Sequence, residues 1–476
     1  MAYFEKIAEY NGNGIISINN RPEIFCKFSA IQSSNGSILL VCDVKPDHLA
    51  HGTYPCNATA FHGKTNEGWK VDTKGELIGI GVSFSSSDDY QHLAFLVKCL
   101  NVLISVDVDL DSVCYGISNF EFFGTEIVET RNNETISYAR SRIKLRLQDK
   151  DVQINRISNY DEVVNYIKTS SDAGVTCELF TKVSLYDLDK SKEMVGNLCY
   201  LMSIVRGTKV AWIYRFSFNK GKIANKVHID GNTKRYSALP LLIDSWDAGK
   251  AVTSFLETTY DIFVSRNARF RLGEIIDAYL DAKANGDHIE LNGAKLAVVM
   301  EKLKATLIES NELSEHNSEN MSLGEYIINP NDFKNLRKVI QENVKLCLEN
   351  MGITDKEIRD KIYKNLGCIN RTSFEDLLKG LWDEIDLRLE NNDICLFINS
   401  RNSLIHKGKF YCEGKESNKQ CRPLANRVEE YFFVLNILDQ TMLKLIGYSG
   451  PYIDYRNFAK DSNEFDNAKL TYGSSQ

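Results

Sequence analysis

Over the first half of the chain apolar residues alternate with polar ones in short runs; over the second half they recur every three or four positions. Alternation sets one face of a strand against a core and the other in water, whereas a 3.6-residue period marks one face of a helix. Up to about residue 240, the runs 14–19, 24–31, 38–44, 76–84 and 210–218 are β-branched or aromatic and are separated by Asn, Gly, Ser and Pro. Residues 135–148 predict a longer strand or hairpin, because Ile143, Leu145 and Leu147 alternate with Lys144, Arg146 and Gln148. One helix is expected within this half, near 193–205, where Met194, Val195, Leu198, Leu201, Met202 and Val205 share a stripe.

From about residue 250 the helical period takes over. Phe255, Leu256, Thr259, Tyr260 and Phe263 mark one helix, and Leu272, Ile275, Ile276, Tyr279 and Leu280 the next, stopped by Gly286. Residues 331–350 carry Phe333, Leu336, Ile340, Val344 and Cys347 at helical spacing. Phe374, Leu377, Leu378, Leu381, Trp382, Ile385 and Leu389 form the cleanest stripe. Residues 393–406 predict a shorter helix, with Gly408 placed to end it, and 422–446 the last long one. The polar, aperiodic stretch 309–322 predicts a mobile loop. Beyond the turn at Gly450-Pro451 a polar tail is expected to fray.

The fold class that follows is α+β. An antiparallel β-rich N-terminal domain over residues 1–245, a barrel or a sandwich with helical inserts, precedes an all-α helical bundle over 250–450 and a tail over 451–476. A chain of 476 residues is too long for one core, so two domains are the natural division.

Composition narrows the function classes. With 43% hydrophobic and 25% charged residues the chain is globular, not disordered. A net charge of −7 provides no global basic field, so any nucleic-acid contact must come from a local patch. The N-terminal residues lack the basic start and apolar centre of a signal peptide, and no apolar run reaches bilayer length, which predicts a cytoplasmic protein without a membrane partner. Twelve cysteines are scattered without a CxxC pair, which predicts reduced thiols and no disulfide framework.

The densest chemistry lies in Arg401-Asn402-Ser403-Leu404-Ile405-His406. An arginine is a permanent cation that steadies charge on phosphoryl oxygens, and an imidazole moves protons near neutral pH, which is what metal-free cleavage of a phosphodiester requires. On a helix Asn402 and His406 share a face, while Arg401 and His406 diverge by about 140°. A cleft at the helix end, or one between two copies of the helix, would bring the pair together. At a helix C-terminus the macrodipole favours protonated His406 by roughly 0.3–1 kcal/mol. Downstream the chain turns basic: from 401 to 427 there are seven cations (Arg401, Lys407, Lys409, Lys415, Lys419, Arg422 and Arg427) against Glu413 and Glu416. Phe410 and Tyr411 lie among them, as they would to stack on unpaired bases. The plain alternative is a surface Arg/His pair that caps a helix.

Other constellations carry less. His48, His51 and His62 with Asp43, Asp47 and Cys56 lack regular ligand spacing and read as loop residues, not as a metal site. Gly63-Lys64-Thr65 is not a P-loop, because Ala58 stands where its first glycine belongs. Gly79 and Gly81 read as strand glycines. Asp107, Asp109 and Asp111 read as a solvated strand face, because Ser112 occupies the place of the calcium-loop glycine. Trp69 and Trp246 are expected in cores.

The run SFEDLLKGLWDEIDLRLENNDICLFINSRNSLIHKGKF (373–410) resembles the core of a HEPN ribonuclease domain, a family that carries R-x(4–6)-H with a polar residue after the arginine. Arg401, Asn402 and His406 match all three positions. The N-terminal half is similar to that of ApeA-type HEPN proteins in GKTNEGWKV (63–71) and YGISNFEFFG (115–124). The resemblance implies a bacterial anti-phage, abortive-infection ribonuclease that needs neither metal nor cofactor. In it the RNA 2′-OH attacks its own phosphate and leaves a 2′,3′-cyclic phosphate and a 5′-OH. His406 would be general base or acid, Arg401 would stabilise the phosphoryl oxygens, and Asn402 would orient His406 or the phosphate. Lys407, Lys409, Phe410, Tyr411, Lys415, Lys419 and Arg422 would bind RNA. The resemblance further implies RNA partners, with transfer RNA anticodon loops first, a homodimer or higher oligomer through the helical domain, and an N-terminal domain that holds the activity latent until a phage-encoded protein triggers it. The competing expectation is a non-catalytic dimeric binding protein with a degenerate helical domain.

Overall fold

The structure, a computed structural model, describes residues 6–18, 23–45, 57–84, 90–105, 109–132, 135–170, 172–184, 187–231, 242–243, 249–283, 287–315, 326–414, 424–454 and 472–474. The N-terminal half is antiparallel sheet and the C-terminal half is helical, an α+β architecture. The strands are β1 (Lys6–Ser17), β2 (Ile24–Ser33), β3 (Ile38–Val44), β4 (Asn57–Ala58), β5 (Ala60–Thr65), β6 (Lys70–Lys74), β7 (Leu77–Phe84), β8 (Gln91–Leu96), β9 (Cys99–Leu103), β10 (Ser112–Ser118), β11 (Glu126–Asn132), β12 (Thr135–Leu147), β13 (Lys150–Arg156), β14 (Val175–Lys182), β15 (Ala211–Asn219) and β16 (Lys222–Ile229). They form one continuous sheet in the order β11-β12-β13-β14-β10-β15-β16-β9-β6-β5-β1-β2-β3-β8-β7-β4. The choice between barrel and sandwich resolves into this single sheet, whose two halves pack on separate cores.

Alternation drives the first half. In β2 and β3 every second residue is buried, so Phe28, Ala30, Leu40 and Cys42 enter a core shared with Phe61, Leu93, Phe95 and Val102. The ladder between β9 and β16 joins this half to the next. Near that seam lies an interior polar chain. Tyr10 Oη donates to His228 Nε2 (2.8 Å), His228 Nδ1 donates to Gln32 Oε1 (2.6 Å), and Gln32 Nε2 donates to the Ile213 and Ile229 carbonyls. The glutamine amide spends both protons on carbonyls, which leaves its oxygen as acceptor and fixes the neutral imidazole with its proton on Nδ1.

The segment 115–124 owes its composition to close packing. A Cβ on Gly116 would fall 2.1 Å from the Tyr214 ring, and Asn119, at φ 61°, uses its amide to bridge the Lys209 carbonyl and the Gly174 N–H. The strand-or-hairpin expectation at 135–148 resolves into one long strand, β12, which pairs antiparallel with the following β13. Helix α1 (Tyr160–Ser170) covers β14, and α2 (Leu188–Arg206) buries all six residues of the stripe predicted near 193–205.

The helical half contains α3 (Lys250–Phe270), α4 (Leu272–Lys283), α5 (Ile289–Glu315), α6 (Pro330–Asn350), α7 (Lys356–Leu366), α8 (Phe374–Glu384), α9 (Asn391–Lys407) and α10 (Arg427–Leu445). One hydrophobic core runs from Tyr115 and Leu179 of the sheet through Leu198 and Leu201 of α2 to Phe255, Tyr279, Met300, Trp382, Phe397 and Leu438 of the helices. Within it Lys283 Nζ pairs with Asp439 at 3.2 Å while Tyr279 Oη donates to the same carboxylate, so the buried charges satisfy one another.

Three expectations change. Helix α5 continues to Glu315, so the loop expected at 309–322 is helical at its start; 316–322 lie outside the described residues. Helix α6 forms as predicted, but of its stripe only Phe333 is buried, and Leu336 and Cys347 are exposed. Among the described residues its main neighbours are α7 and the turn at Gly367–Asn370, which leave part of its apolar face uncovered. At the C-terminus, β17 (Pro451–Ile453) pairs antiparallel with β18 (Tyr472–Ser474), so the end of the tail is paired there. Gly286 and Trp246 lie outside the described residues.

Candidate functional site

Helix α9 carries the Arg-Asn-His segment. The helix ends at Lys407 because Gly408 adopts φ 63°, a left-handed geometry that glycine takes without steric cost. Leu396, Phe397 and Leu404 anchor the helix in the core. Ser400 and Ser403 are buried on the same helix.

Arg401 lies inside the helix packing, its side chain only 11% exposed. Its guanidinium sits over the Phe374 ring at 4.4 Å from the centroid. Nη1 donates to Asn402 Oδ1 (2.7 Å) and Nη2 donates to the Glu301 carboxylate of α5. Burial pushes the guanidinium below its ordinary value, yet the group remains a cation. Asn402 therefore holds Arg401, a partner different from the His406 or phosphate that the resemblance implies for it.

His406 is exposed in the last turn of α9, and Lys407 and Lys409 beside it are exposed as well. The segment after the helix is tied down by Glu430, a fully buried carboxylate of α10 that accepts the N–H groups of Tyr411 (2.9 Å) and Cys412 (2.8 Å). Burial, then Glu430, pushes the Cys412 thiol up to about 12, so it offers no thiolate at neutral pH. Arg401 and His406 thus occupy different sides of one helix, the first facing α5 and the second facing solvent, as their spacing predicts.

Phe410 departs from expectation. It is 0% exposed, seated against Gly293 of α5, where a Cβ would lie 2.7 Å from its ring, so it is a core anchor and no platform for bases. Tyr411 is half-buried against the same core. Lys415, Lys419 and Arg422 lie outside the described residues. Arg427 is paired with Glu290. Sequence reasoning missed Glu301 and Glu430; the only available signal for Glu301 is its place at i+3 from Val298 on the outward side of α5, which does not name its partner.

Of the histidine-rich region, His62 bonds Asp72 (2.7 Å) and Asp43 bonds His92 (2.6 Å), while 46–56 lie outside the described residues. Among the described cysteines eight are free, mostly buried, in line with the expected thiols, while Cys395 on α9 is disulfide-bonded. No helix among the described residues is long and apolar enough to cross a membrane. Comparison with protein families, with curated proteins and with solved structures gives no match.

Proposed function

We propose that the chain is an RNA endonuclease whose chemistry is centred on α9 and needs no metal or cofactor. The observation that carries this reading is a solvent-facing imidazole, His406, in the last turn of a helix that also fixes a guanidinium, Arg401, against an aromatic ring and an amide. In the reaction the RNA 2′-oxygen forms a bond to phosphorus as the P–O5′ bond breaks. One imidazole takes the 2′-OH proton, a protonated imidazole gives one to the departing O5′, and a guanidinium neutralises the phosphoryl oxygens. Ends are 2′,3′-cyclic phosphate and 5′-OH, and transfer RNA is the first substrate to test.

Two copies of α9 would supply the groups that one helix points apart, so the reading includes a homodimer. It is supported by α5, whose outward face carries exposed Leu291 and Val298 at the same helical face as Glu301, with exposed Ile405 on α9 nearby in sequence to His406. The N-terminal half would hold the enzyme latent until a phage protein binds the active arrangement in preference to the resting one. The compartment proposed is the cytoplasm, in an abortive-infection role.

A second reading has its own observation: Arg401 is already engaged by Glu301 and Asn402, which favours a non-catalytic dimeric binding protein. Incubating purified protein with transfer RNA in EDTA and sequencing ends that bear 5′-OH separates the two. Cleavage lost in His406→Ala supports the enzyme; cleavage unchanged in that variant, or none under infection, supports the binder.

A further inference from the structure

We propose that the outer face of β1, β2, β3 and β5 binds an unpaired polynucleotide strand. An open groove of about 650 Å³ lies there, with Ile15, Phe25, Lys27, Lys45, Lys64 and Tyr90 among its walls. The ladders fix the arrangement. Ile15 pairs with His62 on β5 and with Phe25 on β2, which sets one outward row across three strands. Two residues further along, Lys64 pairs with Asn13, Asn13 with Lys27, and Lys27 with Asp43, a second row parallel to the first. The rows lie about 7 Å apart, two strand residues.

Phe25 stands in the first row 65% exposed, a large ring presented to water on a strand face. The Lys27 ammonium lies 5.7 Å from the Tyr90 ring centroid, so cation and second ring are adjacent. The two acids nearest these cations already have partners: Asp43 bonds His92, and Asp72 bonds His62 and pairs with Lys70. Among the described residues Lys27, Lys45 and Lys64 have no carboxylate within ion-pair distance, so the groove is net basic in an acidic protein. The floor is main chain. Gly14 and Gly63 face inward, where a Cβ on either would lie within 2.8 Å of the Phe61 ring, so this part of the sheet closes tightly on Phe61 beneath the groove.

A row of cations beside exposed rings matches a strand whose phosphates track the charges and whose bases stack on the rings. Duplex RNA hides its bases, and an acidic peptide meets the lysines but leaves the rings without planar partners. This site lies on the β-rich half and does not depend on the nuclease reading, because it concerns binding alone.

The test uses the full chain with His406→Ala, so that no probe is cut, and fluorescein-labelled 12-mer oligouridine followed by anisotropy. Phe25→Ala is expected to weaken binding about tenfold. Lys27→Glu/Lys64→Glu is expected to weaken it further and to flatten the salt slope by about 0.7 per lysine. Both changes are at exposed positions, and circular dichroism checks that the sheet is retained. Oligouridine with 4-thiouridine should crosslink to the peptides that contain Phe25 or Tyr90. Unchanged affinity in both variants, crosslinks confined to the helical half, or displacement by polyglutamate as readily as by unlabelled oligouridine would each overturn the proposal. Groove binding with no new 5′-OH ends in infected cells that express the parent chain would sink the nuclease reading and leave this one standing.

Discussion

The Arg401 guanidinium is bound by the Glu301 carboxylate, a residue 100 positions earlier in the chain, across the α5–α9 contact. The bond gives Arg401 a counter-ion from the protein itself, which in the proposed nuclease would compete with a phosphate oxygen. The Glu301 side chain is 35% exposed, so the pair is solvent-screened and worth about 1 kcal/mol or less.

Glu301→Gln should therefore raise RNA affinity and cleavage by up to roughly fivefold, the equivalent of about 1 kcal/mol. Single-turnover rates across RNA concentrations check this. A fall in rate with unchanged affinity would instead make Glu301 part of the working site.

His406→Ala should reduce cleavage by about 10²- to 10⁴-fold, the usual contribution of a positioned proton-transfer group. The melting temperature should stay near that of the parent, because the side chain is exposed and fills no core. A variant that loses its fold along with its activity would say nothing for catalysis, so both are measured on one preparation.

Phe410→Ala should destabilise the helical half by about 3–5 kcal/mol, while Lys409→Ala one residue earlier stays within about 0.5 kcal/mol. Urea unfolding followed by tryptophan fluorescence distinguishes them, since Trp382 lies in the same core. Equal effects would place Phe410 on the surface after all.

Burial, with Lys226 adding to it, brings His228 down to about 3, from the ordinary 6.5. A depressed value means that the unfolded chain takes up a proton that the folded chain refuses. The stability tied to His228 is thus complete above about pH 6.5 and is lost as pH falls toward 3. Between pH 7 and pH 5 the loss is about 2 kcal/mol. In His228→Gln this portion of the pH dependence should vanish, as read from urea midpoints at the two pH values.

Val298→Arg with Ile405→Arg should convert a dimer into a monomer by light scattering and reduce cleavage with it, because both exposed side chains border the α5–α9 face. A chain that is monomeric before the change and still cuts RNA would remove the paired-helix arrangement from the mechanism.

Local patterns read well from sequence. The alternation of 143–148 and the stripe of α2 are each one element seen edge-on, and Gly408 ended α9 where its position predicted. What failed to read was set by partners distant in the chain. Phe410 sits among lysines in sequence, yet Gly293 leaves a gap on α5 that draws its ring inside. The α6 stripe has correct helical period, but period says only that a face is apolar, not that a surface exists to cover it. Arg401, Asn402 and His406 were legible as residue types on one helix; that the amide serves the arginine was not.

Helix α2 is encoded among strands and packs among helices, with Tyr200 close against Gly273 of α4. The two halves are therefore not interchangeable parts. A recombinant swap that joins this helical half to a foreign N-terminal half must carry α2 across with it, or the graft leaves Leu198, Leu201 and their neighbours without a wall. Inheritance is constrained in the same way: residues packed across α2, α3 and α4 must change together or not at all.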